Sequence, residues 1–168
     1  MKRIGILSDT HSHWDERYRK FFQGCDEIWH AGDMGTIAIA RKLEEIAPVR
    51  AVYGNCDGRD VRLEYPEILR FRIEEADVVM KHIGGSPGHY DSTIREELRT
   101  RTPALFVCGH SHILKIQHDA SLGMLHINPG AAGLQGWQNV RTLVRLTVDG
   151  RRFLDLDVLE IKRDEEIC

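Results

Sequence analysis

The sequence has little of what a membrane protein, a nucleic-acid binder or a disulfide-stapled domain needs. Its four cysteines, Cys25, Cys56, Cys108 and Cys168, are scattered, with no Cys-x-x-Cys pair; they read as reduced thiols. No apolar run approaches the roughly 20 residues of a membrane span. The opening run Ile4-Gly5-Ile6-Leu7 is too short for the core of an export signal. Lys plus Arg total 23 against 26 Asp plus Glu, a net charge of −3 with neutral histidines. That balance gives no basic footprint for nucleic acid and no polybasic membrane surface. There is no internal repeat and no low-complexity linker, so disorder, collagen and coiled coil are excluded for the chain as a whole. The expectation is a cytoplasmic protein with no membrane partner and no strong nucleic-acid signal.

What is present is an ordinary globular composition over 168 residues, 42% hydrophobic and 29% charged, with nine histidines. The length fits one domain spanning residues 1–168, with 163–168 as a frayed charged tail. Arg3 to Leu7 reads as a buried strand. Residues 15–24 read as a helix carrying Tyr18, Phe21 and Phe22, with Asp15 as its N-cap. Asp26 to His30 and Val49 to Tyr53 read as strands around a helix at 36–47. This β-α-β-α-β opening calls for parallel strands with right-handed crossovers. Strands follow at 68–73, 78–82, 104–108, 113–118, 124–127, 140–148 and 153–161, with a helix at 91–101. Asp149-Gly150 marks the final hairpin. The segments 84–90 and 128–137 read as loops.

The polar residues that resist a bland explanation fall at strand ends. Asp9 and His11 follow the first strand, Asp33 the second and Asn55 the third. His82 ends a later strand, and His110 and His112 end another within Gly109-His110-Ser111-His112. In open α/β sheets the ligand crevice lies outside the carboxyl ends of the strands. Imidazole nitrogens with carboxylate and amide oxygens suit borderline divalent ions such as manganese, iron, zinc or nickel. Seven such donors exceed one ion's needs; they suffice for two ions about 3.5–4 Å apart.

The ordered set Asp9-x-His11, Gly32-Asp33, Gly54-Asn55-Cys56-Asp57, His82 and Gly109-His110-x-His112 resembles the calcineurin-like metallophosphoesterase superfamily. The small size and the closing Asn128-Pro129-Gly130 resemble its small bacterial and archaeal phosphodiesterase branch. The resemblance covers residues 4 to about 133. It implies a four-layer α/β/β/α sandwich of two mixed β-sheets flanked by helices. It also implies a dinuclear centre in which Asp9, His11 and His112 hold one metal, Asn55, His82 and His110 the other, and Asp33 bridges them. Manganese is the first expectation, with zinc, iron or nickel open. A metal-bridging hydroxide would attack a small phosphoester in line, most readily a phosphodiester. Asp33, Asn55, Cys56 and Asp57 are the implied catalytic positions. A phosphomonoesterase or protein phosphatase on the same site, or a non-catalytic interaction scaffold of the same fold, are the alternatives. A homo-oligomer is a further implication of the resemblance.

Two positions depart from the family pattern. Cys56 stands where many members have a histidine proposed to protonate the leaving group. A thiol, with an ordinary pKa near 8.5, is poorly tuned for that task. Aryl esters should therefore react better than alkyl esters. Ile83-Gly84-Gly85 follows His82 where many members place a second histidine, which leaves the substrate wall open.

Other residues invite plainer readings. His30 fits either an orienting partner for a ligand or a hydrogen-bonded core histidine. Asn128 reads as structural support; Trp137, with Gly133 and Gly136, fits a packing role ahead of a place in the cleft wall, and His13 a surface loop ahead of a phosphate contact. Cys25 and Cys108 read as core thiols and Cys168 as a tail thiol. Arg141, Arg145, Arg151 and Arg152 read as solvated charges on strand faces. His89, His118 and His126 carry no motif.

Overall fold

The first strand shows how the chain sorts its side chains. In β1 (Lys2–Leu7), Ile4 and Ile6 enter one apolar cluster and Leu7 another, because alternate residues of a strand point to opposite faces. Both faces of this strand are therefore covered. The computed structural model describes residues 1–163. After β1 come α1 (Glu16–Phe22), β2 (Glu27–His30), α2 (Ala38–Glu44) and β3 (Val49–Ala51). This is the expected opening unit, and β1, β2 and β3 pair in parallel. There follow α3 (Arg59–Glu64), β4 (Ile68–Ile73), β5 (Ala76–Lys81), β6 (Gly85–Ser86) and β7 (His89–Tyr90). The chain continues with α4 (Arg95–Thr100), β8 (Leu105–Val107), β9 (Leu114–Asp119), β10 (Met124–Pro129), β11 (Val140–Asp149) and β12 (Arg152–Lys162).

Ten of the twelve strands among the described residues form two mixed sheets, and β6 and β7 pair separately. One runs β12-β11-β1-β2-β3, with β11 antiparallel to both β1 and β12. The other runs β4-β5-β8-β10-β9, with β5, β8 and β10 parallel between antiparallel edges. Their facing sides bury Ile4, Ile6, Trp29 and Val144 with Phe71, Val78, Met80 and Val107. Each such side chain contributes about 1.5–3 kcal/mol on leaving water. The outer face of the first sheet lies under Tyr18, Phe22, Ile39 and Leu43 of α1 and α2. The outer face of the second meets Ile94 and Leu98 at α4. The result is the four-layer α/β/β/α sandwich. No helix among the described residues is long and apolar enough to cross a membrane.

Four local expectations change. Helix α3 was not foreseen, since Arg59–Glu64 buries a single apolar residue, Val61, and shows no stripe. The 84–90 segment is not a plain loop but holds the β6–β7 hairpin. The helix expected at 91–101 begins only at Arg95, because Asp91 accepts the Thr93 amide at 3.0 Å in a turn. The fourth is Arg141, expected to be solvated: it is fully buried. Its Nε donates to the Ala132 carbonyl at 2.7 Å, its Nη1 to Asp15 Oδ2 at 3.1 Å and its Nη2 to the Tyr18 hydroxyl at 3.2 Å. Helix α1 lies over that end of β11, a long-range fact that the alternation of β11 does not carry. Asp15 is the expected N-cap, accepting the Arg17 amide at 2.9 Å. Arg163, placed in the expected tail, is tied to the Gly136 and Gln138 carbonyls at 2.8 and 3.1 Å. The remainder of that tail, Cys168 included, lies outside the described residues.

Truncating Arg141 leaves a buried void and takes a donor from the Ala132 carbonyl and the Tyr18 hydroxyl, while Asp15 keeps Arg17. Arg141→Ala should cost about 3 kcal/mol and lower the melting temperature by roughly 6–12 °C in a thermal scan. Burial works to raise the Asp15 carboxyl, but the Arg17 and Arg141 guanidiniums outweigh it and hold it at about 2, below the ordinary 3.8. A depressed carboxylate stabilises above its unfolded pKa and loses that contribution as pH falls. Between about pH 4 and pH 2 the wild type should lose stability more steeply than Asp15→Asn in urea melts at stepped pH.

Candidate metal centre

The strand ends of both sheets meet at one edge. Asp9 and His11 follow β1, Asp33 follows β2, and Asn55, Cys56 and Asp57 follow β3. His82 follows β5, while His110 and His112 lie between β8 and β9. Backbone hydrogen bonds stitch these loops together. The Asp9 amide donates to Gly32 at 2.9 Å, His11 to Asp33 at 3.0 Å and Gly109 to His82 at 2.9 Å. The approach at Gly109 is close: a Cβ there would stand 2.2 Å from Ser8 Oγ and 2.8 Å from Asp9 Oδ2. Only glycine lets that chain lie against Asp9.

The backbone is bent to aim these side chains. Asp9, His11, Asp33, His110 and His112 all have positive φ, at 54°, 43°, 55°, 72° and 64°. Non-glycine residues in this region cost of order 1 kcal/mol each and gather at functional sites. The chain bends just after β8, as expected at Gly109: the Ser111 amide donates to the Gly109 carbonyl at 2.9 Å, and His110 and His112 both reach one centre.

One oxygen of each carboxylate is spoken for and the other is not. Asp9 Oδ2 accepts Ser8 Oγ at 2.6 Å and the His110 amide at 3.1 Å. Asp33 Oδ1 accepts the Cys56 amide at 2.8 Å. The remaining oxygens face imidazole nitrogens. Asp9 Oδ1 lies 3.1 Å from His112 Nε2, 3.7 Å from His11 Nε2 and 3.8 Å from His82 Nε2. Asp33 Oδ2 lies 3.1 Å from His82 Nε2 and 3.8 Å from His11 Nε2. Asn55 Oδ1 and His110 Nδ1 are 3.1 Å apart.

This arrangement fits divalent cations. The buried atoms Asp9 Oδ1, His11 Nε2 and His82 Nε2 make no hydrogen bond. His82 Nδ1 lies 2.7 Å from the Ala31 carbonyl, which only accepts, so Nδ1 carries the proton and the Nε2 lone pair points at two carboxylates. Lone pairs facing lone pairs repel unless a cation or a proton lies among them. Two donors bound to one ion at about 2.0–2.2 Å stand roughly 3–3.6 Å apart, close to the spacings here. Ligand atoms of Asp9, His11 and His112 group together, as do those of Asp33, His82 and His110, and those of His11, Asp33 and Cys56.

The electrostatics agree. Burial would raise the Asp9 carboxyl, but the His11 and His112 imidazoles outweigh it and hold it far below the usual carboxylate range. Burial likewise opposes, and His82 reverses, the shift at Asp33, which is also lowered. His82 is raised, its burial overcome by Asp33, and His112 is raised chiefly by Asp9. The carboxylates stay ionised beside bases that seek a positive charge.

The remaining expected residues divide. Cys56 is at the rim with an exposed thiol. Slight burial and the Asp33 charge push that thiol's pKa up, so it stays protonated at neutral pH. Asp57 does not join the donor set. Its Oδ1 accepts the Gly35 amide at 2.9 Å and its Oδ2 the Gly54 amide at 2.8 Å, so it braces two loops. His30 is a buried core histidine that also orients the site. Its Nδ1 accepts the Gly32 amide at 3.1 Å and its Nε2 meets Thr10 Oγ1 at 3.0 Å; burial keeps it neutral, with its pKa lowered to about 4. Asn128 supports the turn, its Nδ2 donating to the Gly109 carbonyl at 2.9 Å. Trp137 corrects an expectation, for its ring is fully exposed rather than packed. Ser8, Arg62 and Gln138 were missed. Arg62 Nε clamps the Asp57 carbonyl at 2.7 Å, and Gln138 Oε1 lies 3.3 Å from His112 Nδ1. None carries a motif; Ser8 borders Asp9, but Gln138 is brought in only by folding.

Comparison with known proteins accords with this site. The calcineurin-like phosphoesterase superfamily domain matches residues 1–151, and the chain belongs to that superfamily. A protein of Methanothermobacter thermautotrophicus named a probable metallophosphoesterase is 30% identical over 98% of this chain and 95% of its own. A phosphodiesterase of Methanocaldococcus jannaschii is 24% identical over 76% of this chain and 82% of its own. The crystal structure of Entamoeba histolytica Vps29 complexed with zinc has the same fold. Its TM-score is 0.73 at 14% identity, over 95% of this chain and 98% of that one.

Metal binding should show directly in stability. Mn²⁺ at about 100 times its dissociation constant should stabilise metal-stripped protein by about 2.7 kcal/mol, raising the melting temperature by roughly 5–10 °C. Asp33→Ala should lose most of that rise. The pH dependence follows from the raised histidines: without metal, protonated His82 and His112 contribute stability that is full below their ordinary 6.5 and lost as pH rises past it. Protons and metal compete for the same lone pairs, so the metal-induced rise should shrink below about pH 6.

Proposed function

We propose that this phosphoesterase is a dinuclear metal-dependent phosphodiesterase acting on a small phosphoester through a single domain. The observation that carries the proposal is the convergence of Asp9 Oδ1 and Asp33 Oδ2 on the Nε2 atoms of His11, His82 and His112. Asp9, His11 and His112 would hold one ion, Asn55, His82 and His110 the other, with Asp33 between them. Manganese is the ion we expect, and zinc, iron or nickel would fit the same donors. Bound there, divalent ions make hydroxide available near neutral pH and offset charge on phosphoryl oxygens.

The chain's own residues do the positioning. Ser8 and the His110 amide fix the rotation of Asp9, and the Cys56 amide fixes that of Asp33. The Ala31 carbonyl sets the tautomer of His82. Beside Asn55 and His82 lies a cleft of about 210 Å³ lined also by Arg62, Lys81 and Glu67; the two cations outnumber the one carboxylate and favour an anionic substrate. Cys56, protonated and at the rim, is a weak proton donor for a departing alkoxide. Aryl and other good leaving groups need no such proton, and they define the substrates on which the site should be fastest.

The decisive assay follows an aryl phosphodiester as Mn²⁺ is titrated into metal-stripped protein, with the matched monoester alongside. Turnover should appear only with metal and be faster on the diester. Faster monoester turnover would make the protein a phosphatase, and tight metal binding with no turnover would favour an interaction scaffold. Asp33→Ala should lose more than about 100-fold in kcat. Cys56→Ala should keep aryl-diester turnover within about threefold; its loss with metal still bound would assign the thiol a catalytic role.

A further inference from the structure

Trp137 is 100% exposed, although it lies in a segment held at both ends. Gln138 Oε1 reaches His112 Nδ1 at 3.3 Å, and Gln138 Nε2 donates to the Gln135 carbonyl at 2.8 Å. The Arg163 guanidinium donates to the Gly136 and Gln138 carbonyls at 2.8 and 3.1 Å and also engages Leu134. On the near side, a Cβ at Gly136 would stand 2.4 Å from His112 Nδ1. The indole is thus carried between two residues that both abut a proposed metal ligand, and it is turned to solvent.

The groove beside it has a volume of about 530 Å³ and is walled by His110, His112, Ile113 and Trp137. That volume suits a group the size of a nucleoside; a phosphate alone needs far less. Ile113, 67% exposed, gives the groove a second apolar wall. His110 and His112 belong both to this groove and to the proposed metal centre, so the groove adjoins the centre and is open to one ester arm of a phosphodiester held there. A flat aromatic ring gains most from such a place, because any base offers a π-face to an indole.

We propose that Trp137 is a stacking platform for a planar aromatic arm of the substrate, so that the substrates are phosphodiesters of nucleosides. This rests on the phosphodiesterase proposal above, and its test separates the two. Emission of the wild type and of Trp137→Phe is titrated with adenosine 5′-monophosphate and with methyl phosphate. Adenosine monophosphate should quench the wild type saturably, Trp137→Phe should lose that component, and methyl phosphate should quench neither. In parallel, KM and kcat are measured for thymidine 5′-(p-nitrophenyl phosphate) and for methyl p-nitrophenyl phosphate, which share a leaving group. Trp137→Ala should raise KM about tenfold for the thymidine ester alone, with kcat nearly unchanged, and Trp137→Phe should stay within about threefold of wild type. Equal KM changes on both esters, or no Trp137-dependent quenching, would overturn the platform. So would loss of a dimer in Trp137→Ala on sedimentation with KM unchanged, since the ring would then face a second copy. Trp137-dependent quenching without hydrolysis of either ester would support the platform and overturn the diesterase; hydrolysis without such quenching would do the reverse.

Discussion

Two buried carboxylates aimed at imidazole lone pairs set the terms for this molecule. Asp9 and Asp33 each commit one oxygen to hydrogen-bond donors and turn the other toward Nε2 atoms. Buried negative charge without compensation is costly, and the structure concentrates that cost at one edge of the sandwich. The left-handed backbone at Asp9, His11, Asp33, His110 and His112 adds to it. Such a cluster persists because the facing sheets and the helices outside them supply the apolar burial that fixes the loops.

The supporting hydrogen bonds explain why the cluster keeps its shape. His30 links the Gly32 amide to Thr10, so the loops after β1 and β2 share one buried imidazole. Asp57 ties the Gly35 and Gly54 amides together, joining the loops after β2 and β3. Asn128 anchors Gly109 from β10. The loops after β1, β2, β3 and β8 are thereby braced by buried side chains, and the donor atoms keep spacings that suit a shared cation.

Function then follows from the few positions the scaffold leaves free. In the proposed reaction the Cys56 thiol would govern which groups leave, and Trp137 would govern what sits beside the phosphorus. One acts through proton supply and the other through an apolar face, and both stand at the rim of the same centre.

Much of this was written in local sequence. Short apolar runs bounded by polar residues placed the principal strands, and the Asp, Asn and His residues at their ends marked the groups that the fold brings together, because run length and residue chemistry are short-range properties. Asp15 was legible as a cap for the same reason. Helix α3 and the β6–β7 hairpin were not, since neither has an apolar period of its own. Tertiary structure alone decided the fate of residues whose environment comes from distant chain. Arg141 is buried because α1 crosses its end of β11, and Gln138 reaches His112 because the 131–139 segment folds over the centre. Trp137 stands in solvent because its neighbours on both sides are pinned. A sequence states which groups a residue can satisfy; only the packed chain determines which of them arrive.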